Sequence, residues 1–224
     1  MANVSHDLRT PLTIVKAYTE RIRDISYRDE QKRNEHCKVI IDEVDRLTNL
    51  VNDILELSKL QSGTLELNKS KVDLSYIATT VLERFAILKE KGYNLILECD
   101  DNAFVECDSS MIEQVMYNLI GNAVSYTGED KVVKISVKKE DGKVVVKVTD
   151  TGKGIAPSEK EKVWDRYYRA SQTKRAVHGS GIGLSIVKSL LIAHSAEYGI
   201  DSVINNGSTF WFSLPIAENQ ENAR

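Results

Sequence analysis

Apolar residues in the first quarter of the chain recur in steps of three and four. Ile40, Val44, Leu47, Val51 and Ile54 form a strict seam on a helix predicted over roughly 29–61. Leu8, Leu12, Val15, Tyr18, Ile22 and Ile25 form the facing stripe of a helix predicted over roughly 2–25, and the polar stretch Ser26-Tyr27-Arg28-Asp29 separates the two. An antiparallel hairpin follows. Leu50, Leu57 and Leu60 add apolar area beyond what one facing helix covers. Two hairpins meeting as a dimeric four-helix bundle would bury that surplus; a second domain folded over it in a monomer is the alternative, and sedimentation separates the two.

The pattern then changes. Residues 1 to 62 contain no glycine and a single proline, Pro11, whereas all twelve glycines lie from Gly63 onward. A boundary is expected there, with domains over 1–64 and 65–224 and a short joint around Gln61-Ser62-Gly63. Asp73 can cap a helix over 74–91. Short strands are expected at Leu95–Glu98 and Phe104–Cys107, and Asp108 starts a long helix ending near Gly128. Val132–Lys138 and Lys143–Thr149 alternate apolar and polar residues around Glu140-Asp141-Gly142, which marks a β-hairpin with one buried face. A glycine-rich loop, a polar stretch, a helix over about 183–194 and a final strand Ser208–Leu214 follow. The fold class is α+β: a helical hairpin, then an α/β sandwich with one sheet and helices on one face.

Composition narrows the function. With 224 residues, 42% apolar and 28% charged, the chain can bury a real core. A net charge of −3 supplies no global attraction to nucleic acid, so an anionic ligand must be held by a local site. The cysteines Cys37, Cys99 and Cys107 are too few and too dispersed for a disulfide framework and include no C-x-x-C pair. No stretch approaches the ~20 apolar residues of a membrane span, so the chain as given is expected to be soluble.

Four segments carry chemistry. In Ser5-His6-Asp7-Leu8-Arg9-Thr10-Pro11-Leu12, Pro11 removes a backbone donor inside a helical pattern, and His6 stands on the turn before it, beside the apolar stripe. A neutral imidazole is a nucleophile near pH 7, and Asp7 can accept its other N–H and raise its basicity. Thr10 is placed to orient a water for hydrolysis. By itself, a surface histidine beside an aspartate also reads as ordinary solvated surface. Asn118 and Asn122, four apart in Asn118-Leu119-Ile120-Gly121-Asn122-Ala123, share a helix face and present two amide oxygens to one hard cation; two satisfied structural amides fit the same spacing. In Asp150-Thr151-Gly152-Lys153-Gly154-Ile155, the aspartate follows a strand and can accept an exocyclic amine such as adenine offers, although an ordinary turn has the same composition. In His178-Gly179-Ser180-Gly181-Ile182-Gly183-Leu184, glycines open a helix whose free N–H groups suit phosphates.

The last motif is not a dinucleotide fingerprint, because the preceding Ser171 to Ala176 is a polar loop instead of a strand. It is not a Walker loop either, because no Gly-Lys-Ser or Gly-Lys-Thr closes it. The basic stretch between Tyr168 and Gly179 can fold over phosphates as a lid.

Taken in order along the whole chain, these segments resemble the histidine kinases of two-component signalling. Ser5–Leu12 resembles the family's H-box, Asn118–Ala123 its N-box, Asp150–Ile155 its first glycine box, Trp164-Asp165-Arg166-Tyr167-Tyr168-Arg169 its aromatic box and Gly179–Leu184 its second glycine box. The resemblance implies a dimerisation and phosphotransfer hairpin joined to a Bergerat-type ATP-binding domain. It implies His6 as phosphoacceptor, Asp7 as its general base, Thr10 in dephosphorylation of the partner, and Arg169, with Lys174 or Arg175, offsetting charge. Asp150 would contact adenine and Tyr126 pack on its ring, while Asn118 and Asn122 would serve Mg2+ and phosphate. Gly152, Gly154, Ile155, Tyr168, Gly179, Gly181, Gly183 and Leu184 complete the implied ATP-binding set.

The resemblance further implies a homodimer, a response-regulator aspartate as final acceptor, and a longer protein whose upstream sensor and membrane spans place this part on the cytoplasmic side of a bacterial membrane. Because His6 is only five residues from the start, its helix is expected to continue upstream. Three segments depart from the family pattern: Ser125 replaces a usual lysine, Trp164 and Tyr167 replace phenylalanines, and His194-Ser195-Ala196-Glu197 lacks a usual Gly-Gly turn. Two rival readings remain. Gyrase- and chaperone-like ATPases of the same nucleotide fold use a glutamate where this chain has Asn118, and an amide is no base. A silent scaffold has no need of ATP.

Overall fold

The computed structural model describes residues 2–61, 66–168 and 181–217, with side chains in the hairpin described from Leu8 onward except those of Asn49, Asp53, Glu56, Leu57, Lys59, Leu60 and Gln61. Two compact units divide the chain, Met1–Gln61 and Ser62–Arg224.

The first unit is the expected hairpin. Helix α1 spans Ala2–Arg21 and runs into one five-residue π-helical turn, Ile22–Ser26; helix α2 spans Glu30–Gln61. The turn is tied by Ser26, whose hydroxyl donates to the Arg21 carbonyl and lies 3.0 Å from His36 Nδ1, while the Tyr18 ring meets His36 edge-on. Only part of the seam is shielded. Ile40, Leu47 and Ile54 are half-buried, whereas Val44 and Val51, their partners at seam spacing, are exposed together with Ile41 and Leu55. On α1, Leu12 and Ile25 are likewise exposed, and it is Pro11 that is buried; Leu50, expected in the uncovered surplus, is buried instead, and the side chains of Leu57 and Leu60 lie outside the described residues. Two helices cross along one line of contact, so one stripe on each is covered and the flanking stripe is not.

The second unit layers helices on a sheet. Strands β2 (Asn94–Cys99), β4 (Val132–Glu140), β5 (Lys143–Asp150), β6 (Glu197–Ser202) and β7 (Ser208–Pro215) form a five-stranded sheet in the order β2-β4-β5-β7-β6. The β2–β4 pair is parallel and the others antiparallel. Val133, Ile135, Val137, Val144, Val146, Val148, Phe210, Phe212 and Leu214 alternate along the strands and are buried beneath helices α3 (Leu74–Glu83), α4 (Ser109–Tyr126) and α5 (Gly183–Ala193). The opposite face carries lysines paired with carboxylates, as in Lys134 with Glu98 and Lys147 with Glu140. Aspartates start two of the helices as expected. Asp73 accepts from Ser75 N–H, and Asp108 accepts from Ser110 N–H and Met111 N–H.

The structure departs from the sequence pattern in three places. The helix expected over 74–91 stops at Glu83, and a 3-10 segment, Ala86–Lys91, takes over after Phe85, whose ring packs 5.1 Å from Tyr117. A two-stranded ribbon, β1 (Ser70–Asp73) with β3 (Phe104–Cys107), stands apart from the main sheet. Strand β6 follows α5 directly, where no strand was expected.

Candidate nucleotide site

The site is assembled around α4. Asp108 fixes its start, and an uninterrupted apolar face (Ile112, Val115, Met116, Leu119, Ile120, Ala123) seats it on the core. That seating turns the polar positions Asn118, Asn122 and Tyr126 to one side at steps of four, each half-buried. Asn118 Nδ2 is buried and has no hydrogen-bond partner, the single such side-chain atom among the described residues. A buried amide without a partner costs stability unless a ligand or water completes it. Its neighbour is Gly183, the first residue of α5: a Cβ there would stand 3.7 Å from Asn118 Oδ1. The amide and the opening of α5 therefore face the same space.

The other end of α4 carries the first glycine loop. Asp150 ends β5 as a buried carboxyl that accepts from Gly152 N–H at 2.8 Å. Burial pushes this carboxyl above its usual value, against the opposing pull of the Gly152 and Ser208 backbone N–H groups. Gly152 is required by contact, since a Cβ would stand 2.0 Å from the Tyr126 carbonyl oxygen. Gly154 has φ +67, and its own Cβ would overlap the Val203 carbonyl. The loop is held from below by the β6–β7 turn: Ile155 N–H donates to Ser202 Oγ, Gly207 N–H to the Gly152 carbonyl and Asn205 N–H to the Lys153 carbonyl. Thr127, just past α4, donates to the Val132 carbonyl and lies 2.9 Å from the Thr151 hydroxyl, which donates to Asp130.

The aromatic box and the end of the second glycine box meet at Tyr167 N–H, which donates to the Gly181 carbonyl at 2.9 Å. Tyr168 donates its hydroxyl to Glu159, which raises the phenol above its usual value. Trp164 is buried edge-on against Tyr198 and Phe210, so the aromatic packing of that box is kept with a larger ring. Ser125 turns its hydroxyl back to the Gly121 carbonyl. Leu184 is half-buried in the first turn of α5.

Thus Tyr126, Asp150, Gly152, Gly154 and Ile155 form one neighbourhood, and Asn118, Gly183 and Leu184 another on the same helix pair. Arg169, Gly179, Lys174 and Arg175 lie outside the described residues. His6 and Asp7 are positions of α1, with side chains outside the described residues, and Thr10 follows His6 by one turn on that helix. Sequence reasoning missed the supports: Ser202, Gly207, Thr127 and Thr151. The Asn205-Asn206-Gly207 turn was the available signal, because that composition marks a tight turn, here with Gly207 at φ +75.

A family profile for the histidine kinase-, DNA gyrase B- and HSP90-like ATPases matches residues 107–218, and one for the His kinase A phospho-acceptor domain matches residues 1–63. The chain belongs to the two-component sensor histidine kinases. Among relatives, it is 35% identical to the sensor histidine kinase WalK of Bacillus subtilis (strain 168) over 99% of its own length and 37% of WalK's. It is 32% identical to the sensor protein kinase WalK of Staphylococcus aureus, with 96% and 52% covered. The chain thus spans about a third to a half of the relatives it matches. Among solved structures, histidine kinase ThkA in complex with response regulator protein TrrA matches at TM-score 0.77 and 27% identity, covering 96% of this chain and 60% of ThkA. Full-length ShkA in complex with AMPPNP matches at TM-score 0.71 and 28% identity, covering 97% and 46%. This chain therefore carries the family's phospho-acceptor and ATPase-type domains, and among its described residues no helix is long and apolar enough to cross a membrane.

Proposed function

We propose that this chain binds ATP in its α/β unit, phosphorylates His6 and passes the phosphoryl group to an aspartate of a response regulator. The observation that carries the reading is the buried, unpartnered amide of Asn118 facing the start of α5, in the same unit as the buried Asp150 carboxyl. An acceptor for the adenine amine and an unsatisfied amide beside a helix N-terminus are the two ends of an ATP site. That relatives of this chain include a kinase complexed with AMPPNP and another complexed with a response regulator supports both halves of the reaction.

The residues divide the work as follows. Asp150 accepts from the adenine amine, Tyr126 packs on the ring, and Gly152, Gly154 and Ile155 give the backbone close approach. Gly179, Gly181, Gly183 and Leu184 bind the phosphates, with Tyr168 on the loop beside them. Asn118 and Asn122 would hold Mg2+, which when bound neutralises charge on the phosphates. A nitrogen of His6 forms the new bond to the γ-phosphorus as the bond from phosphorus to the β–γ bridging oxygen breaks; ADP carries off that electron pair, and Asp7 takes the imidazole proton. Arg169 offsets charge developing on the transferred group. Thr10, one turn from His6, orients water when the phosphorylated regulator is hydrolysed.

Residues 1–64 are assigned to phosphotransfer and dimerisation and 65–224 to nucleotide binding. The homodimer is supported by the exposed apolar stripe of the hairpin. In the longer protein this part would lie on the cytoplasmic side of a bacterial membrane. Incubation with γ-labelled ATP is the test: wild type takes up acid-labile label and His6→Gln takes up none. Label persisting in the variant contradicts the assignment.

A further inference from the structure

We infer that His194 is a positioning residue for nucleotide binding: its imidazole locks the axial register of α5 against α4 and so sets the start of α5 opposite Asn118. The inference rests on the ATP-binding reading above. His194 caps the C-terminus of α5 and is 4% exposed. Its Nδ1 lies 2.8 Å from the Leu190 carbonyl oxygen, which can only accept, so Nδ1 carries the proton. Nε2 is then a free lone pair, and it accepts the backbone N–H of Asp108 at 3.1 Å. Asp108 is 7% exposed and is the N-cap of α4, so its N–H belongs to no helix or strand ladder and has the imidazole as its acceptor.

The carboxyl of Asp108 is fully engaged as well. It takes the Ser110 hydroxyl and the N–H groups of Ser110 and Met111 on one oxygen and Asn68 N–H on the other. Burial would raise this carboxyl, but those four donors outweigh it and hold it below its usual value. It therefore stays ionised at the helix start, and the clasp has a fixed anchor on the α4 side.

Helix arithmetic connects the clasp to the site. The start of α4 meets the end of α5, so the helices run in opposite senses. From Asp108 to Asn118 is ten residues and from His194 back to Gly183 is eleven. At 1.5 Å per residue these arms are about 15 and 16 Å long. Equal arms place Asn118 opposite Gly183, and a Cβ on Gly183 would indeed stand 3.7 Å from Asn118 Oδ1. The buried residues of the two helices such as Ile186, Leu190, Ile112 and Val115 are apolar, and apolar burial is non-directional, whereas the imidazole's two hydrogen bonds fix a position along the helix axes. A shift of about 1 Å is enough to spoil a binding geometry.

The test compares two polar substitutions of the whole chain. His194→Asn can keep the donor to Leu190 but cannot reach Asp108 N–H; in His194→Gln the side-chain oxygen can reach the place of Nε2. Affinity for ATP with Mg2+ is measured by calorimetry, beside a control, Val144→Ala, which weakens the core at the end of β5 remote from Asp150. We expect His194→Asn to lose about tenfold or more in affinity, His194→Gln to stay within about threefold of wild type, and Val144→Ala to lower the melting temperature with affinity unchanged. Wild-type affinity in His194→Asn, equal loss in both His194 variants, or equal loss in the control overturns the role of His194. A wild type that takes no ATP overturns the nucleotide reading and this role with it. A measurement free of variants is the NMR coupling from Asp108 N–H to Nε2 of 15N-labelled His194; its absence in the native protein also overturns the clasp.

Discussion

The hairpin and the α/β unit use apolar residues in opposite ways. In the α/β unit, Val133, Ile135, Val146 and Phe212 alternate along strands and are fully buried, because the helices above complete the second side of the layer. In the hairpin, the seam keeps Ile40, Leu47 and Ile54 half-buried and leaves Val44 45% and Leu12 56% exposed. A sheet covered by helices closes its own core, whereas two helices have only one contact line between them. The lesson concerns what each unit needs. The first leaves an apolar stripe uncovered along its seam, and the second holds a floor on which a ligand site can be left polar and unsatisfied.

That contrast can be broken at several points. Truncating the closed core is expected to have the largest effect: Phe212→Ala should lower stability by about 3–5 kcal/mol in denaturant unfolding, independent of protein concentration. Next comes pH. On the proposed reading the carboxylate form of Asp150 accepts the adenine amine, and its folded value is raised by burial. ATP affinity should therefore fall as pH drops through that raised value, by up to about tenfold per pH unit. Folding stability moves the other way: the native state binds this proton more tightly than the unfolded chain, so the Asp150 contribution worsens as pH rises through the same window. Calorimetric titration across pH, with Asp150→Asn as the flat reference, checks both.

In the hairpin, Val44→Glu should leave monomer helicity nearly unchanged by circular dichroism and weaken self-association at least about tenfold by sedimentation, since it puts an unpaired charge on the exposed stripe. Unchanged sedimentation would place the dimer interface away from this stripe, and a wild type that sediments as a monomer would falsify the dimer. A smaller effect is expected at the α4 cap, where Asp108→Ala should cost about 1–2 kcal/mol. The smallest is on the outer sheet face: Lys134 and Glu98 pair at 2.8 Å with 47% of each side chain exposed, so Lys134→Ala should change stability by no more than about 0.5 kcal/mol.

Much of the fold was legible in the residues. Asp73 and Asp108 were recognisable caps because a short acceptor before an apolar run satisfies the first N–H groups locally. The β4–β5 hairpin was legible because alternation over Val132–Lys138 and Lys143–Thr149 leaves one arrangement that buries one face. Strand β6 was not: Glu-Tyr-Gly-Ile-Asp-Ser has little strand pattern, and its partner β7 imposes extension through six paired residues. The break at Glu83 carries no Pro or Gly, and it is Phe85 against Tyr117, distant in sequence, that accompanies it. For the site, Asn118, Asn122, Asp150 and the glycines could be named from spacing, whereas Ser202, Gly207 and His194 act through partners 47, 55 and 86 residues away, which no local pattern names.

Periodicity, caps and motif order are local quantities, written in neighbouring residues and governed by backbone geometry over a few turns. They were enough to divide this chain into a hairpin and an α/β unit and to name the residues proposed to face a nucleotide. Which amide is left unpartnered, which half of the seam stays exposed and which imidazole clasps two helices depend on who arrives from elsewhere in the chain. Those outcomes come from packing, where desolvation and directional hydrogen bonds choose among arrangements that the local pattern leaves equal.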